Sequence, residues 1–270
     1  MLGVAFGDIV GAFFEHRLNK LVVFSLFSTY SRFTDDTVLA VAVADSILRG
    51  TDFGQTIRVW GRRYPDAGYG GTFIRWLIDE DAGDYGSWGN GSAMRVAAVG
   101  WAFSTVDEVL KEARLSAMPT HSHDEGIKGA QAVALAVFRA RTGATKEVIR
   151  NELEARFGYK LATTVDEIRP YYRFDVSCQG SVPEALVAFF DSHSVESAVR
   201  LAVSLGGDSD TQAAIAGAVA EAYYGGLPPG IEVSVRKRLD GAIGAVLDDF
   251  YRKYVYPART AHAVRIHRGV

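Results

Sequence analysis

Cysteine is almost absent from this chain, since Cys178 is the only one among 270 residues. A single cysteine excludes an intrachain disulfide and suits a reducing compartment. The first residues also lack the basic start, apolar run and small-residue cleavage site of a signal peptide. We therefore expect a cytoplasmic protein.

Long hydrophobic runs and blocks of like charge are missing as well. Every apolar stretch is interrupted before the ~20 residues that a membrane-spanning helix needs, so no membrane partner is expected. Lys and Arg number 29 against 32 Asp and Glu, which gives a net charge of -3 without a basic arm or charge block. Nucleic acid is therefore not expected as a partner either.

Sustained alternation of apolar and polar residues, the pattern of a half-buried strand, is also absent. Three segments rich in small residues are instead apolar almost all round, as in helices enclosed by other helices: residues 38–48, 127–140 and 213–224. One-sided helical spacing is found in residues 149–157, which stop at Gly158, in 194–205 and in 239–250. No linker or fixed-period repeat separates these segments. The sequence predicts an all-α protein in which residues 1–270 form a single domain.

Two short acidic runs stand directly before two of the apolar helices. The first, FTDDT, precedes residues 38–48, and the second, GGDSDT, precedes residues 213–224. Each run places two carboxylates and at least one Thr hydroxyl at the start of a helix that carries almost no other charge. The carboxylates concerned are Asp35, Asp36, Asp208 and Asp210.

These acidic runs have two interpretations. Asp and Thr could simply cap the helices, because they accept hydrogen bonds from free N–H groups and suit the positive end of the helix dipole. Capping needs only one or two such side chains per helix, and it does not explain the same dense pattern twice. If the two helix ends converge, four carboxylates repel one another unless a divalent cation binds them. An all-oxygen ligand set favours Mg²⁺, Mn²⁺ or Ca²⁺ over Zn²⁺.

Three further runs contain candidate functional residues. In GDIVGAFFE, a helix would place Asp8, Gly11 and Glu15 on one face, so Glu15 is either an additional ligand or general base, or a surface carboxylate. The glycine-rich stretch of residues 86–95 offers backbone N–H groups that could hold a phosphate, although it is not a P-loop. In THSH, His121 is either a polar group beside a ligand or a helix-start residue.

Taken in order, these motifs resemble the ADP-ribosylglycohydrolase family. The resemblance rests on GDxxGxxxE, FTDDT, GNGSAMR, THSH followed by GAQA, and GGDSDT before AAIAGAVAEAYYG. It extends from residue 3 to about residue 228, whereas residues 231–270 carry no motif and are expected to form a terminal helix and tail. Each motif alone is modest evidence for the family, but five motifs in this order are specific to it.

The resemblance implies an orthogonal multi-helix bundle around a binuclear Mg²⁺ or Mn²⁺ centre. By position, the implied metal ligands are Thr34, Asp35, Asp36, Asp208, Asp210 and Thr211, none of them substituted. The implied residues at the diphosphate and nearby ribose of ADP-ribose are Ser87, Trp88, Gly89, Asn90, Gly91 and Ser92. The resemblance places Glu15 close to the metals and His121 close to the substrate.

The implied function is metal-dependent hydrolysis of the glycosidic bond between ADP-ribose and a modified protein side chain or small molecule. An ADP-ribosylated protein or a small-molecule ADP-ribose conjugate is then the expected partner. The general acid or base would be Glu15, Asp35 or Asp36, with Glu15 ranked first. Two alternatives stay open: a non-catalytic ADP-ribose-binding or structural protein on the same scaffold, and a hydrolase of another ribosyl compound.

Overall fold

A computed structural model describes residues 1–260 of the chain. Over this range the chain forms fifteen α-helices and one π-helical turn, followed by helical residues 256–260, without any β-strand, so the all-α prediction is confirmed. The helices are α1 (Leu2–Gly11), α2 (Asp35–Arg49), α3 (Phe53–Arg63), α4 (Gly71–Ile78), α5 (Gly91–Met94), α6 (Ala97–Ala102), α7 (Val106–Ala117), α8 (Asp124–Arg141), α9 (Lys146–Phe157), α10 (Val165–Ile168), α11 (Cys178–Asp191), α12 (Val195–Val203), α13 (Ser209–Tyr224), α14 (Pro229–Arg236) and α15 (Gly241–Phe250), followed by the π-helical turn Tyr251–Val255.

The three segments predicted to be enclosed helices are α2, α8 and α13. Each begins before its apolar run, because the polar residues ahead of the run already belong to the first helical turn. In α13 every residue from Ser209 to Ala222 is buried. A helix buried on all sides can carry charge only where a partner balances that charge, and α13 begins with acidic residues.

Three of the other predicted boundaries are set by capping groups. Helix α9 ends at Phe157, and Gly158 follows with a φ of 68°, as predicted for a glycine in the left-handed region. Helix α12 follows Ser194, whose hydroxyl accepts a hydrogen bond from the Ser197 amide. The helix ends at Val203, before the predicted limit of residue 205. Helix α15 starts later than expected because Asp240 caps it.

Helices α1 and α13 pack with their backbones in direct contact. A Cβ on Gly3 would lie 2.2 Å from the carbonyl oxygen of Gly217, and one on Gly7 would lie 2.0 Å from that of Ala213. Glycine once per helical turn permits this approach, and it places the C-terminal end of α1 against the N-terminal end of α13. Helix α1 ends at Gly11, so the prediction that Glu15 lies on the face of this helix is wrong.

The described helices share one hydrophobic core that extends from Met1 to Val255. The single-domain organisation of residues 1–270 stays a prediction. Of the expected terminal helix and tail, α14, α15 and the π-helical turn are helical, while residues 261–270 lie outside the described residues. Within residues 1–260, no helix has both the length and the apolar character needed to cross a bilayer.

Candidate active site

The N-terminal ends of α2 and α13 meet inside the protein, which is the condition that the metal-site interpretation required. The Thr211 hydroxyl donates a hydrogen bond of 3.3 Å to Asp36 Oδ2, which joins the two helix starts directly. Carboxylate oxygens of Asp8, Asp36 and Asp210 lie within 4.8 Å of one another. A second such group consists of Glu15, Asp208 and Asp210, so Asp210 belongs to both.

The capping interpretation of these carboxylates does not agree with the hydrogen bonds. The residues in the N-cap positions, Thr34 for α2 and Asp208 for α13, make no side-chain capping hydrogen bond. Helix α2 is capped instead by Asp8 of α1, whose Oδ2 accepts from the amides of Thr34 at 2.9 Å and Thr37 at 3.1 Å. Because Asp8 satisfies these amides, the carboxylates of α2 itself remain available for another partner.

Among residues 1–260, no Lys or Arg forms an ion pair with the acidic cluster, which consists of Asp8, Glu15, Asp35, Asp36, Asp208 and Asp210. Of the ion pairs formed by residues 1–260, none includes Asp35, Asp36, Asp208 or Asp210. Burial, followed by repulsion from Asp210, raises the pKa of Asp35, Asp36 and Asp208 well above the usual range. The pKa of Glu15 is raised for the same two reasons.

Asp8 belongs to the same GDIVGAFFE motif as Glu15, but it is not among the metal ligands that the family resemblance implies. It is completely buried, and burial raises its pKa to about 7 against the opposing effect of the Thr hydrogen bonds. The Thr34 hydroxyl donates to Asp8 Oδ1 at 2.7 Å, and its own lone pairs are left for a further bond. Asp8 therefore fixes the first acidic run in place from a neighbouring helix.

The donor set fits a hard divalent cation. All of the clustered atoms are carboxylate or hydroxyl oxygens, which Mg²⁺, Mn²⁺ and Ca²⁺ prefer. Asp36 Oδ1 is buried without any hydrogen-bond partner among the described residues, and a buried carboxylate oxygen in that state is costly unless a cation binds it. Asp35 lies in neither tight group, but it borders the same cavity beside Gly68.

A cavity of about 390 Å³ opens above the acidic cluster. Glu15 and the carboxylates of α2 and α13 line this cavity together with the glycine-rich loop of residues 85–91. The segment around Gly70 and Gly71, at the start of α4, lines it as well. A small molecule in this cavity would contact the acidic groups and the loop at the same time.

The glycine-rich loop is held in shape by its own amides. The Ser87 amide donates to the Thr120 carbonyl at 3.1 Å, that of Gly89 to Ser87 Oγ at 3.0 Å, and that of Asn90 to the Val176 carbonyl at 2.8 Å. These three N–H groups are already used, so at these positions the loop differs from the expected cradle of free amides. The loop instead presents glycine backbone and the half-exposed Trp88 side chain to the cavity.

Two of the predicted loop residues have roles that the sequence did not indicate. Asn90 Nδ2 donates 2.7 Å to Asp208 Oδ2 and 3.2 Å to Ser181 Oγ, so the loop is tied to the acidic cluster. Ser92 is fully buried, its hydroxyl donates 2.6 Å to the Gly126 carbonyl, and it does not line the cavity.

The two histidines of THSH occupy different positions, one at a helix start and the other in the cavity lining. His123 caps α8, because its Nδ1 accepts a hydrogen bond of 3.1 Å from the Glu125 amide. His121 is 5% exposed and lines the cavity next to Gly91. Tyr85 and Val176 also line the cavity, and no motif in the sequence pointed to either of them.

Comparison with known proteins agrees with this geometry. The sequence model of the ADP-ribosylglycohydrolase family matches residues 1–258. The chain is 30% identical over 257 residues to ADP-ribosylhydrolase ARH3 of Homo sapiens, covering 72% of this chain and 71% of that protein. It is 26% identical over 263 residues to an ADP-ribosylarginine hydrolase of Pseudomonas putida, covering 85% of this chain and 71% of that protein.

Solved structures lead to the same family. An ADP-ribosylglycohydrolase-related protein complex superposes with a TM-score of 0.71 and 28% identity, covering 93% of this chain and 95% of that one. The family match extends over nearly all of the described residues, and the named relatives are hydrolases of ADP-ribosyl groups. The chain therefore belongs to the ADP-ribosylglycohydrolase family and is an enzyme of that class.

Proposed function

We propose that this enzyme releases ADP-ribose from a modified protein side chain or a small-molecule conjugate by hydrolysis at the anomeric carbon. The observation that supports this most directly is the position of the acidic cluster. Members of two overlapping groups of carboxylates line a cavity that the glycine-rich loop also lines. This arrangement would hold a ribose against the cluster while the diphosphate lies along the loop.

Two divalent cations, Mg²⁺ or Mn²⁺, are proposed to complete the site. The residues that would hold them are Thr34, Asp35, Asp36, Asp208, Asp210 and Thr211. The sharing of Asp210 between two carboxylate groups supports a pair of sites over a single one. When bound, the cations would supply Lewis-acid polarisation and neutralise the crowded carboxylates.

Glu15 is proposed as the general acid or base. Its side chain keeps 31% exposure, so water and substrate can reach it, whereas Asp36 is buried. It lies beside Asp208 and Asp210 at the edge of the cavity and is hydrogen-bonded to neither α2 nor α13 in the described residues. A carboxyl group in this position can exchange a proton with the leaving group or the attacking water. Asp35 and Asp36 are the alternatives for this role.

The carboxylates would also act through their charge. Cleavage of a glycosidic bond builds positive charge on the sugar ring, and negative groups fixed close to it stabilise that charge. Asp35 and Glu15 border the cavity and are placed to do this. The loop residues Ser87 to Gly91, with His121, would bind the diphosphate and fix the pose of the sugar, which lowers the entropic cost of reaching the transition state.

The location of the reaction is proposed as cytoplasmic, on the basis of cysteine content. Cys178 is the single cysteine of the sequence, and its thiol is buried beneath the loop, where it donates 3.1 Å to the Gly89 carbonyl. A lone buried thiol of this kind suits a reducing compartment.

The linkage cleaved is open to direct measurement. The purified protein would be incubated with ADP-ribosylated arginine, an ADP-ribosylated serine peptide and O-acetyl-ADP-ribose, each with Mg²⁺, with Mn²⁺ and with EDTA. Release of free ADP-ribose from one substrate, abolished by EDTA, is the expected result and identifies the linkage. Tight ADP-ribose binding without release from any substrate would contradict the proposal and favour a non-catalytic binder. If ADP-ribose neither binds nor is released, the enzyme acts on another ribosyl compound.

A further inference from the structure

Arg95 is a buried cation without a carboxylate partner. Its side chain is 0% exposed, and none of the ion pairs among residues 1–260 includes it. Its Nη2 donates 2.8 Å to the Ser116 carbonyl and 2.9 Å to Thr120 Oγ1, while Nε and Nη1 have no partner among the described residues. A buried, unpaired guanidinium is expensive for stability, so its position calls for a functional reason.

Thr120 connects this guanidinium, which borders the cavity, to His121 in the cavity lining. Its hydroxyl oxygen accepts from Arg95 and lies 2.7 Å from Nδ1 of His121. A Thr hydroxyl has two lone pairs and one proton. Arg95 has no acceptor atom, so of these two hydrogen-bond partners only His121 Nδ1 can accept the hydroxyl proton. With Nδ1 as the acceptor, the single proton of a neutral imidazole is on Nε2.

Nε2 is the ring nitrogen of His121 nearest the glycine-rich loop. A Cβ built on Gly91 would lie 3.0 Å from Nε2, and one built on Gly89 would lie 3.6 Å from it. No protein group among residues 1–260 is hydrogen-bonded to Nε2. The two glycines therefore leave space for a ligand oxygen to approach this nitrogen.

We propose that Arg95 and Thr120 are positioning residues that hold His121 as a neutral imidazole with its proton on Nε2, directed at the loop. In this form His121 donates a hydrogen bond to a phosphate or hydroxyl oxygen of the ligand. The identity of that ligand, ADP-ribose, rests on the proposed function, whereas the proton position does not. Burial, with a smaller effect of Arg95, keeps the pKa of His121 well below its usual range, so the ring stays neutral.

The proton position can be measured on the ligand-free protein. Nitrogen NMR of ¹⁵N-histidine-labelled protein distinguishes a protonated from an unprotonated ring nitrogen, and His121→Gln assigns the signals. The expected spectrum shows an unprotonated, hydrogen-bonded Nδ1 and a protonated Nε2. A protonated Nδ1 in the wild type would overturn the proposal without any variant having to fold.

Thr120 variants test whether the hydroxyl sets this state. Thr120→Val keeps a similar shape but removes the hydroxyl, and Arg95 Nη2 retains the Ser116 carbonyl. We expect the fixed Nδ1 and Nε2 signals to give way to a mixture of tautomers, and Thr120→Ser to restore the wild-type spectrum. Ser122→Ala is the matched control, because it removes a neighbouring hydroxyl that bonds to Asp84 and not to His121. An unchanged tautomer in Thr120→Val would contradict the proposal.

Binding gives a second readout. Calorimetry with ADP-ribose as the probe should show about tenfold weaker affinity for Thr120→Val, with recovery in Thr120→Ser. In turnover, KM should rise more than kcat falls, because the acidic cluster is untouched. Wild-type binding in Thr120→Val would overturn the positioning role. Absence of ADP-ribose binding by the wild type would refute the proposed ligand instead, and the NMR result would still decide the proton position.

Discussion

Helix α13 carries buried carboxylates at both ends, and the two ends differ in how the protein balances their charge. At the C-terminal end, Glu221 accepts hydrogen bonds from the Gly3 amide at 2.7 Å and from Arg259 at 2.9 Å, and also from the Tyr251 hydroxyl and the Met1 amino group. At the N-terminal end, the acidic cluster contains further carboxylates and forms no ion pair with Lys or Arg among residues 1–260.

The pKa values of Glu221 and Asp208 shift in opposite directions because of this difference in charge balance. Burial would raise the pKa of Glu221, but the Met1 amino group and Arg259 bring it below its usual value. Burial and Asp210 leave the pKa of Asp208 well above its usual value. One end of the helix is electrostatically complete within the protein, whereas the other becomes complete only when something binds. The first end should therefore serve stability and the second should serve function.

The largest effect should come from Asp210→Ala, which removes the residue shared by both carboxylate groups. We expect turnover to fall on the order of 10³-fold or more, because charge stabilisation at a metal site contributes several kcal/mol. The helical circular dichroism spectrum should be unchanged, and metal-dependent thermal stabilisation should be lost. Asp81→Ala is the control, since Asp81 is exposed and outside the cluster. Full activity in Asp210→Ala would remove Asp210 from the site.

Glu221→Gln tests the opposite end of α13. The free energy of unfolding should fall by about 3–5 kcal/mol, because the change leaves buried positive groups without their partner. Activity per folded molecule and metal affinity should be retained. Chemical denaturation, compared with Glu196→Gln in a partly exposed pair worth ~1 kcal/mol or less, measures the effect. A loss of metal affinity without a loss of stability would show that the two ends are not separable in this way.

Asn90→Ala should weaken the acidic cluster without removing a carboxylate. The Asn90 amide orients Asp208 by a 2.7 Å hydrogen bond, and the loss of such an outer contact typically lowers metal affinity by about 10–100-fold. Titration of activity with Mn²⁺ should therefore shift to higher concentration. Ser181→Ala, which removes the other acceptor of the same amide, should have a smaller effect. Equal effects of the two variants would show that Asn90 acts through the fold and not through Asp208.

The last prediction concerns the pH dependence of stability without metal. Because the folded-state pKa of Asp8 is raised to about 7, the folded protein binds more protons than the unfolded chain between about pH 4 and pH 7. This contribution to stability is present below about pH 4 and is lost as the pH rises through 7. Thermal unfolding in EDTA should show stability falling over that window, by up to about 4 kcal/mol for a pKa raised from 3.8 to about 7.

Two controls isolate the cluster from the other titrating groups of the protein. Saturating Mg²⁺ should remove this part of the pH dependence, because the bound cation balances the ionised carboxylates. Asp36→Asn should reduce it, since it removes one of the repelling groups. A metal-free protein whose stability rises through the same window would contradict the raised pKa values.

The helices that matter most to the site were predictable from the sequence. Helices α2 and α13 are recognisable because they are apolar almost all round and yet begin with acidic residues. Their convergence was a condition of the metal-site interpretation, and it is the structure that shows the two helix starts joined by the bond from Thr211 to Asp36. The sequence could not predict that Asp8 would cap α2, because that contact joins residues 26 to 29 positions apart and depends on how α1 packs.

Other features of the site could not be obtained from local patterns. Glu15 was selected from a helical spacing, but the chain leaves the helix at Gly11 and reaches the cluster through turns. The contact between Asn90 and Asp208 spans 118 positions, and the glycine-rich loop gave no sign of it. Arg95 belongs to a recognised motif, yet its burial and its link to His121 through Thr120 emerge only in three dimensions.

The backbone contact between α1 and α13 limits how the site can change. Gly3, Gly7 and Gly11 touch α13 once per turn, and a Cβ on Gly11 would lie 2.3 Å from the Ser209 carbonyl oxygen. Because the two backbones are in direct contact, no side chain between the helices can be shortened or lengthened to adjust their separation. The distance between Asp8 on α1 and Asp210 on α13 is therefore set by main-chain geometry. A substitution at one of these glycines should therefore move the two helices apart and change which cation radius the site prefers in a single step.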